Sequence, residues 1–218
     1  MAIKAVFFDV GETLIDETGL WSTWADWLRI PKLTFFALLG AVIERGEDHR
    51  RIFDLVRPDF GYDHERTVQA AAGIPVGIDA TDLYPDALPC LATLRAQGYV
   101  LGLVGNQPAE VEGLLRALAL PVDYIATSAG WGVEKPSHAF FMRLIQDVGY
   151  RPQEIAYVGD RIDNDIMPTQ AAGLLAIFLH RGPWGFVQAR RDDVAKVAIR
   201  LESLSELPAV LQQFQAGQ

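Results

Sequence analysis

Residues 3–13 read Ile3-Lys4-Ala5-Val6-Phe7-Phe8-Asp9-Val10-Gly11-Glu12-Thr13. The stretch up to Phe8 is short, almost wholly apolar and rich in aromatics, the pattern of a strand covered on both faces of a parallel sheet. It ends on a carboxylate, Asp9, and then a tight turn at Gly11. Similar apolar runs recur at residues 99–104, 124–127, 155–158 and 174–179, with helix-like segments at 86–97, 108–119, 137–148 and 164–172 between them. Strands alternating with helices predict right-handed crossovers and a doubly wound, Rossmann-like α/β sheet.

Residues 18–83 break this rhythm. Trp21, Trp24 and Trp27 fall at helical spacing, a Pro31-initiated apolar helix follows, and shorter helical pieces lie near 50–56 and 65–72. The expected organisation is an α/β core of residues 1–17 and 84–218 with a small all-helical domain, residues 18–83, inserted after strand one. The tail from residue 199 predicts a short strand and a helix over 203–213, with Ser203 and Glu206 set as a capping box.

Composition narrows the partners. The chain has 218 residues, half of them hydrophobic, with 19 basic against 28 acidic residues for a net charge of −9. No basic block is visible, which argues against nucleic acid. The longest apolar run, residues 33–43, falls well short of the roughly 20 residues that a membrane-spanning helix needs, so no membrane partner is expected. The N-terminal apolar run is too brief for a secretory signal. A lone cysteine, Cys90, and scattered histidines (His49, His64, His138, His180) offer neither an internal disulfide nor a metal-binding spacing. Cytoplasmic residence is the expectation; the oligomeric state is not legible.

In an open parallel sheet, ligands bind beyond the carboxyl ends of the strands. Strand one ends in Asp9, strand two in Gly105-Asn106, the third is followed by Ser128 and Glu134-Lys135-Pro136, and the fourth runs into Asp160-Arg161-Ile162-Asp163-Asn164-Asp165. Clustered carboxylates repel unless a cation holds them, and an all-oxygen donor set favours Mg²⁺ together with substrate phosphate. Asp9 and Asp160 are its natural ligands. Lys135 suits a phosphate clamp, and Asp9 is placed to attack phosphorus as a carboxylate nucleophile. A small-molecule phosphate ester is the expected partner.

In that order, FFDVGETL, LVGNQ, the Lys of VEKPSHAFF, and YVGDRIDNDI resemble motifs I to IV of the haloacid dehalogenase-like hydrolase superfamily, over residues 3 to about 179. The helical insertion sits where that family has its C1 cap. The resemblance implies that Asp9 is nucleophile and metal ligand, Lys135 the phosphate-side cation, Asp160 a metal ligand, and Asp165 a ligand directly or through water. It also implies a metal contact from the Gly11 backbone carbonyl and phosphate contacts at Gly105 and Asn106.

Two positions depart from the pattern. Gly11 stands where family phosphatases carry a second Asp as general acid and base, a role worth about 10² to 10⁴ in rate. Gly105 stands where a Ser or Thr hydroxyl holds phosphate, a contact worth on the order of 1.5–3 kcal/mol. Glu12 is a candidate replacement for the missing acid, although a one-residue shift turns a side chain to the opposite face. The family's dehalogenases also lack the second Asp, but they need no metal, and the acids at 160, 163 and 165 favour a phosphatase. A member weakened to phosphate-ester binding is the other alternative.

Plain structural roles suffice elsewhere. Asp163 is expected to cap the following helix, and Asp165 either touches the metal or lies in that helix's first turn. The tryptophan stripe reads as core, residues 180–185 as a Gly-Pro turn, and Ser128 as a loop or N-cap hydroxyl.

Overall fold

The computed structural model describes residues 2–74, 77–190, 194 and 197–216. Along the chain run β1 (Ala5–Phe8), helices α1 (Thr18–Trp27), α2 (Lys32–Glu44), α3 (Arg51–Val56) and α4 (Tyr62–Ala71), then α5 (Ala87–Ala96) and β2 (Val100–Gly105). After these come α6 (Ala109–Ala117), β3 (Tyr124–Thr127), α7 (Ser128–Trp131), α8 (His138–Val148) and β4 (Ile155–Gly159). The chain continues through α9 (Met167–Ala171), β5 (Leu175–Leu179), α10 (Gly182–Gln188), β6 (Ile199–Leu201) and α11 (Leu207–Ala216). No helix among the described residues is long and apolar enough to cross a membrane.

The strands form one parallel sheet in the order β3-β2-β1-β4-β5-β6. β1 is therefore central, with Phe8 in register with Leu103 on one side and Val158 on the other. Every residue of β1 and of β4 is buried, as the unbroken apolar runs require of strands covered on both faces. On one face Phe140, Phe141 and Leu144 of α8 pack with Phe7, Val104, Ile155 and Tyr157. Burying a side chain of this size contributes roughly 1.5–3 kcal/mol. Helix α8 begins where the Ser137 hydroxyl accepts from the Ala139 N–H at 3.2 Å and stops at Gly149 in the left-handed conformation.

Packing divides the chain into two compact units, residues 1–16 with 79–218, and residues 17–78. The second is all-helical, and its core is aromatic. Phe53 sits 4.8 Å from Trp24, 4.6 Å from Phe60 and 5.3 Å from Tyr62, between ring centroids. Trp21 and Trp24 are buried, so the stripe is core as read, while Trp27 is half-buried and donates from Nε1 to Glu65 at 2.8 Å.

Two local expectations are corrected. Residues 180–185 are no simple turn: Pro183 opens helix α10, because proline in the first helical turn has a preset φ and no N–H to waste. The helix expected over 164–172 is one π turn, Ile162–Ile166, followed by α9. At the tail, the capping box forms as expected: Glu206 accepts from the Ser203 N–H at 2.8 Å and Ser203 Oγ from the Ser205 N–H at 3.2 Å.

Candidate active site

Because all six strands are parallel, their carboxyl ends share one edge, and the central trio β2-β1-β4 delivers most of the site. Asp9 leaves β1 with its N–H still bonded to the Val158 carbonyl of β4 at 2.9 Å. Asp160 leaves the neighbouring β4, and the π turn brings Asp165 back toward the same point. Carboxylate oxygens of Asp9, Asp160 and Asp165 lie within 4.8 Å of one another, and all three residues are buried. Two glycines make room for this. A Cβ at Gly105, the end of β2, would stand 2.6 Å from Asp9 Oδ1, and a Cβ at Gly159, the end of β4, would strike the Asp165 carboxylate.

Lys135 lies inside the cluster. Its ammonium is fully buried, 2.7 Å from Asp9 Oδ1 and 2.6 Å from Asp165 Oδ1, and donates to the Tyr157 hydroxyl at 3.0 Å. Asn106 reaches across from β2 to hold the lysine backbone, its Oδ1 accepting from the Lys135 N–H and its Nδ2 donating to the Lys135 carbonyl, both at 2.8 Å. Thus the Asn106 side chain positions Lys135. The Arg161 N–H donates to Asp165 Oδ2 at 3.0 Å, which accounts for that residue's second oxygen.

One cation does not satisfy three buried carboxylates. Burial works against the charge on Lys135, yet Asp165 and Asp9 hold its pKa well above the usual value. Burial pushes Asp160 well above the carboxylate range, with the negative charges of Asp165, Asp9 and Glu12 adding to it. Burial likewise raises Asp165 to about 6, against the pull of Lys135. The buried Asp160 Oδ2 has no hydrogen-bond partner. Repelling carboxylates, an oxygen-only donor set and an orphaned buried oxygen together suit a divalent cation.

The turn after Asp9 is closed by hydrogen bonds from Ile15 N–H to the Val10 carbonyl (3.0 Å) and from Glu12 N–H to the Ile15 carbonyl (2.7 Å), neither of which uses the Gly11 carbonyl. Glu12 is buried with φ 52° and does not belong to the three-carboxylate cluster. Its carboxylate accepts from the Tyr84 hydroxyl at 2.7 Å. The Arg181 guanidinium lies 4.2 Å from the Tyr84 ring centroid, donates to the Thr13 carbonyl at 2.9 Å and pairs with Asp86. Glu12 is thereby held on the Tyr84 side of the turn.

Asp163 does not cap a helix. It pairs with Arg161 at 3.0 Å and accepts from Gln188 Nε2 at 2.9 Å, while Gln188 Oε1 accepts from the Ile162 N–H at 2.6 Å. A side chain from α10 has taken the capping role. Ser128 opens α7, whose N-cap is Thr127, accepting from the Gly130 N–H at 3.1 Å. The sequence reading missed Tyr157 and Gln188. The only signal for either was an acceptor-capable residue inside an otherwise apolar stretch.

A family model for haloacid dehalogenase-like hydrolases matches residues 3–173. The chain is 31% identical over 215 residues to a glyceraldehyde 3-phosphate phosphatase of Methanopyrus kandleri, a match covering 88% of this chain and 90% of that protein. It is 35% identical over 103 residues to a phosphoglycolate phosphatase of Mannheimia succiniciproducens, 46% of each chain. Among solved structures, a magnesium-bound putative HAD-hydrolase from Bacillus subtilis superposes with TM-score 0.71 at 18% identity, over 97% of this chain and 99% of that one. A 2-haloacid dehalogenase from Pseudomonas syringae gives 0.60 at 21%, again over 97% and 99%. At these identities the structural likenesses concern the fold alone, whereas the family match spans both the Asp9 turn and the Asp160 to Asp165 segment. The chain belongs to the haloacid dehalogenase-like hydrolases.

Proposed function

We propose that this hydrolase is a Mg²⁺-dependent phosphatase of small phosphorylated metabolites and works through an aspartyl-phosphate on Asp9. The observation that carries the reading is the buried trio Asp9, Asp160 and Asp165 around Lys135, with Asp160 Oδ2 unpartnered. Asp9, Asp160 and Asp165 would hold the cation, with the Gly11 carbonyl as a further oxygen. When bound, that cation offsets carboxylate repulsion and draws charge from a phosphate oxygen. The names of the relatives, which act on a triose phosphate and on phosphoglycolate, support phosphate monoesters of two or three carbons as substrates. The helical unit, residues 17–78, would serve as the family's cap.

The chemistry of the chain's own groups runs in two halves. An Asp9 carboxylate oxygen attacks phosphorus and the bond from phosphorus to the leaving oxygen breaks, while Lys135 stabilises the charge on the transferring group. Asn106 contributes by keeping the Lys135 backbone in place, and its own N–H would contact the phosphate. Water then attacks the phosphorus of the aspartyl-phosphate, releasing phosphate and restoring Asp9. Gly11 supplies no proton to the leaving oxygen and takes none from the water. The first half therefore favours a leaving group that departs unprotonated, and in the second the attacking water loses its proton without help from position 11.

That absence, with Gly105, favours one second reading: a member that binds phosphate esters but turns them over poorly. Assays of the intact chain with Mg²⁺, with EDTA and as Asp9→Asn separate the two, using an aryl phosphate, glyceraldehyde 3-phosphate and a 2-haloacid. Turnover of phosphate esters, fastest on the aryl ester and abolished by EDTA and by Asp9→Asn, is the expected result. Phosphate-ester binding without turnover supports the second reading. EDTA-resistant halide release refutes both.

A further inference from the structure

Lys135 is a buried cation with three N–H donors and three acceptors: Asp165 Oδ1 at 2.6 Å, Asp9 Oδ1 at 2.7 Å and the Tyr157 hydroxyl at 3.0 Å. Two of those acceptors are carboxylates whose company changes as phosphate and cation come and go. The third does not change. Tyr157 is fully buried on β4, its ring set edge-on to Phe141 at 5.5 Å between centroids. Its own proton is committed to the Val104 carbonyl of β2 at 2.7 Å. A hydroxyl whose hydrogen is spoken for by a strand carbonyl turns a lone pair the other way, and that lone pair meets the ammonium.

The arrangement also answers the loss at position 105. The end of β2 carries no hydroxyl there, and Asp9 Oδ1 lies in the space that a Cβ would take. The hydroxyl found beside Lys135 comes instead from β4 and is anchored to the residue just before Gly105. We propose that Tyr157 is a positioning residue: it holds the Lys135 ammonium at the phosphate side of Asp9, as Asn106 holds the lysine backbone. This inference rests on the assignment of Lys135 as the phosphate-side cation. A single good hydrogen bond to a charged group, lost without replacement, corresponds to about ten- to a hundredfold in rate.

Tyr157→Phe keeps the ring and removes only the oxygen. Two measurements on it, beside the unaltered protein and Lys135→Met, test the proposal. The first needs no activity: the ¹⁵N-ammonium signal of Lys135, shielded from solvent exchange and identified by its loss in Lys135→Met, is expected to broaden or vanish in Tyr157→Phe. The second is kinetic: kcat on an aryl phosphate with Mg²⁺ falls about ten- to a hundredfold, with KM changed much less. An unchanged ammonium signal overturns the proposal, and so does a lost signal with unchanged kcat. If the unaltered protein turns over no phosphate ester yet its ammonium signal depends on Tyr157, the holding contact stands and the phosphatase reading falls. Should Tyr157→Phe not fold, a cross-relaxation peak between the Lys135 ammonium and the Tyr157 ring protons of the unaltered protein decides the contact. Its absence overturns it.

Discussion

Asp160 is the residue on which the site's electrostatics converge. Its Oδ2 is buried without a partner, and burial with three neighbouring carboxylates pushes its pKa up. At neutral pH its charge therefore opposes folding in the absence of a cation. Asp160→Asn is expected to raise Tm in EDTA by about 2 °C or more. On the proposed Mg²⁺-dependent function, the same substitution should erase the stabilisation by Mg²⁺, expected for the unaltered protein to approach about 2.7 kcal/mol at a hundredfold excess over Kd. Differential scanning calorimetry with and without Mg²⁺ reads both effects. A Tm in EDTA that drops on substitution counts against this account.

Gly105 supplies the second prediction at this scale. The expectation from the sequence was a missing hydroxyl contact to phosphate. With Asp9 Oδ1 2.6 Å from the position of a Cβ, any side chain displaces Asp9 first, and on the proposed role of Asp9 a misplacement of about 1 Å can cost on the order of a hundredfold. Gly105→Ser and Gly105→Ala should therefore both lower the single-turnover rate, by similar factors. Rapid-quench measurement on an aryl phosphate tells them apart: a gain in Ser alone would restore the simpler explanation.

At the scale of elements, the strand ends opposite the site are pinned by one carboxylate. Glu154, in the short turn before β4, accepts from the Arg151 side chain and N–H, both at 3.0 Å, and pairs with Lys4, just before β1, at 2.8 Å. The Arg151 and Lys4 contacts bring its pKa down to about 2. A pKa depressed on folding gives stability that is whole above the unfolded value and is lost as pH falls through the folded one. The Tm advantage of the unaltered protein over Glu154→Gln should thus hold at neutral pH and shrink between about pH 4.5 and 2. A gap that stays constant to pH 2 in thermal scans would remove the charge from the explanation.

Legibility in the sequence followed range of interaction. The strands ending in Asp9 and Asp160 were readable because an unbroken apolar run followed by an acid is a local signal. Lys135 was placed by its distance from a strand end, also nearly local. Asp163 was misread because the group that caps the π turn, Gln188, arrives from α10, 25 residues later. Tyr157 was passed over as one more aromatic in a buried strand, since its hydroxyl partners lie on β2 and in the segment before α8. Helix α10 was lost because Gly and Pro read as a turn until the second helical turn is counted.

For the molecule as a whole, the helical unit has a core made mostly of rings, and Phe53 is its hub, with Trp21, Trp24, Phe35, Phe60 and Tyr62 around it. Removing a buried phenylalanine costs about 3–5 kcal/mol. In a unit this small that is most of the available stability. Phe53→Ala should therefore open the amides of α1 to α4 to hydrogen exchange under native conditions. Protection there equal to that of the unaltered protein would show that the rings carry little of the unit's stability.

The sheet order has a kinetic corollary. Phe8 and Val158 stand side by side, but about two thirds of the chain must be made and looped back before they meet, and such long loops form slowly and late in a search dominated by nearer contacts. Asp9 is synthesised early and waits for Asp160. During translation the Asp9 carboxylate has neither Lys135 nor its acidic neighbours, so the cluster is assembled by the longest-range strand pairing rather than by any single segment.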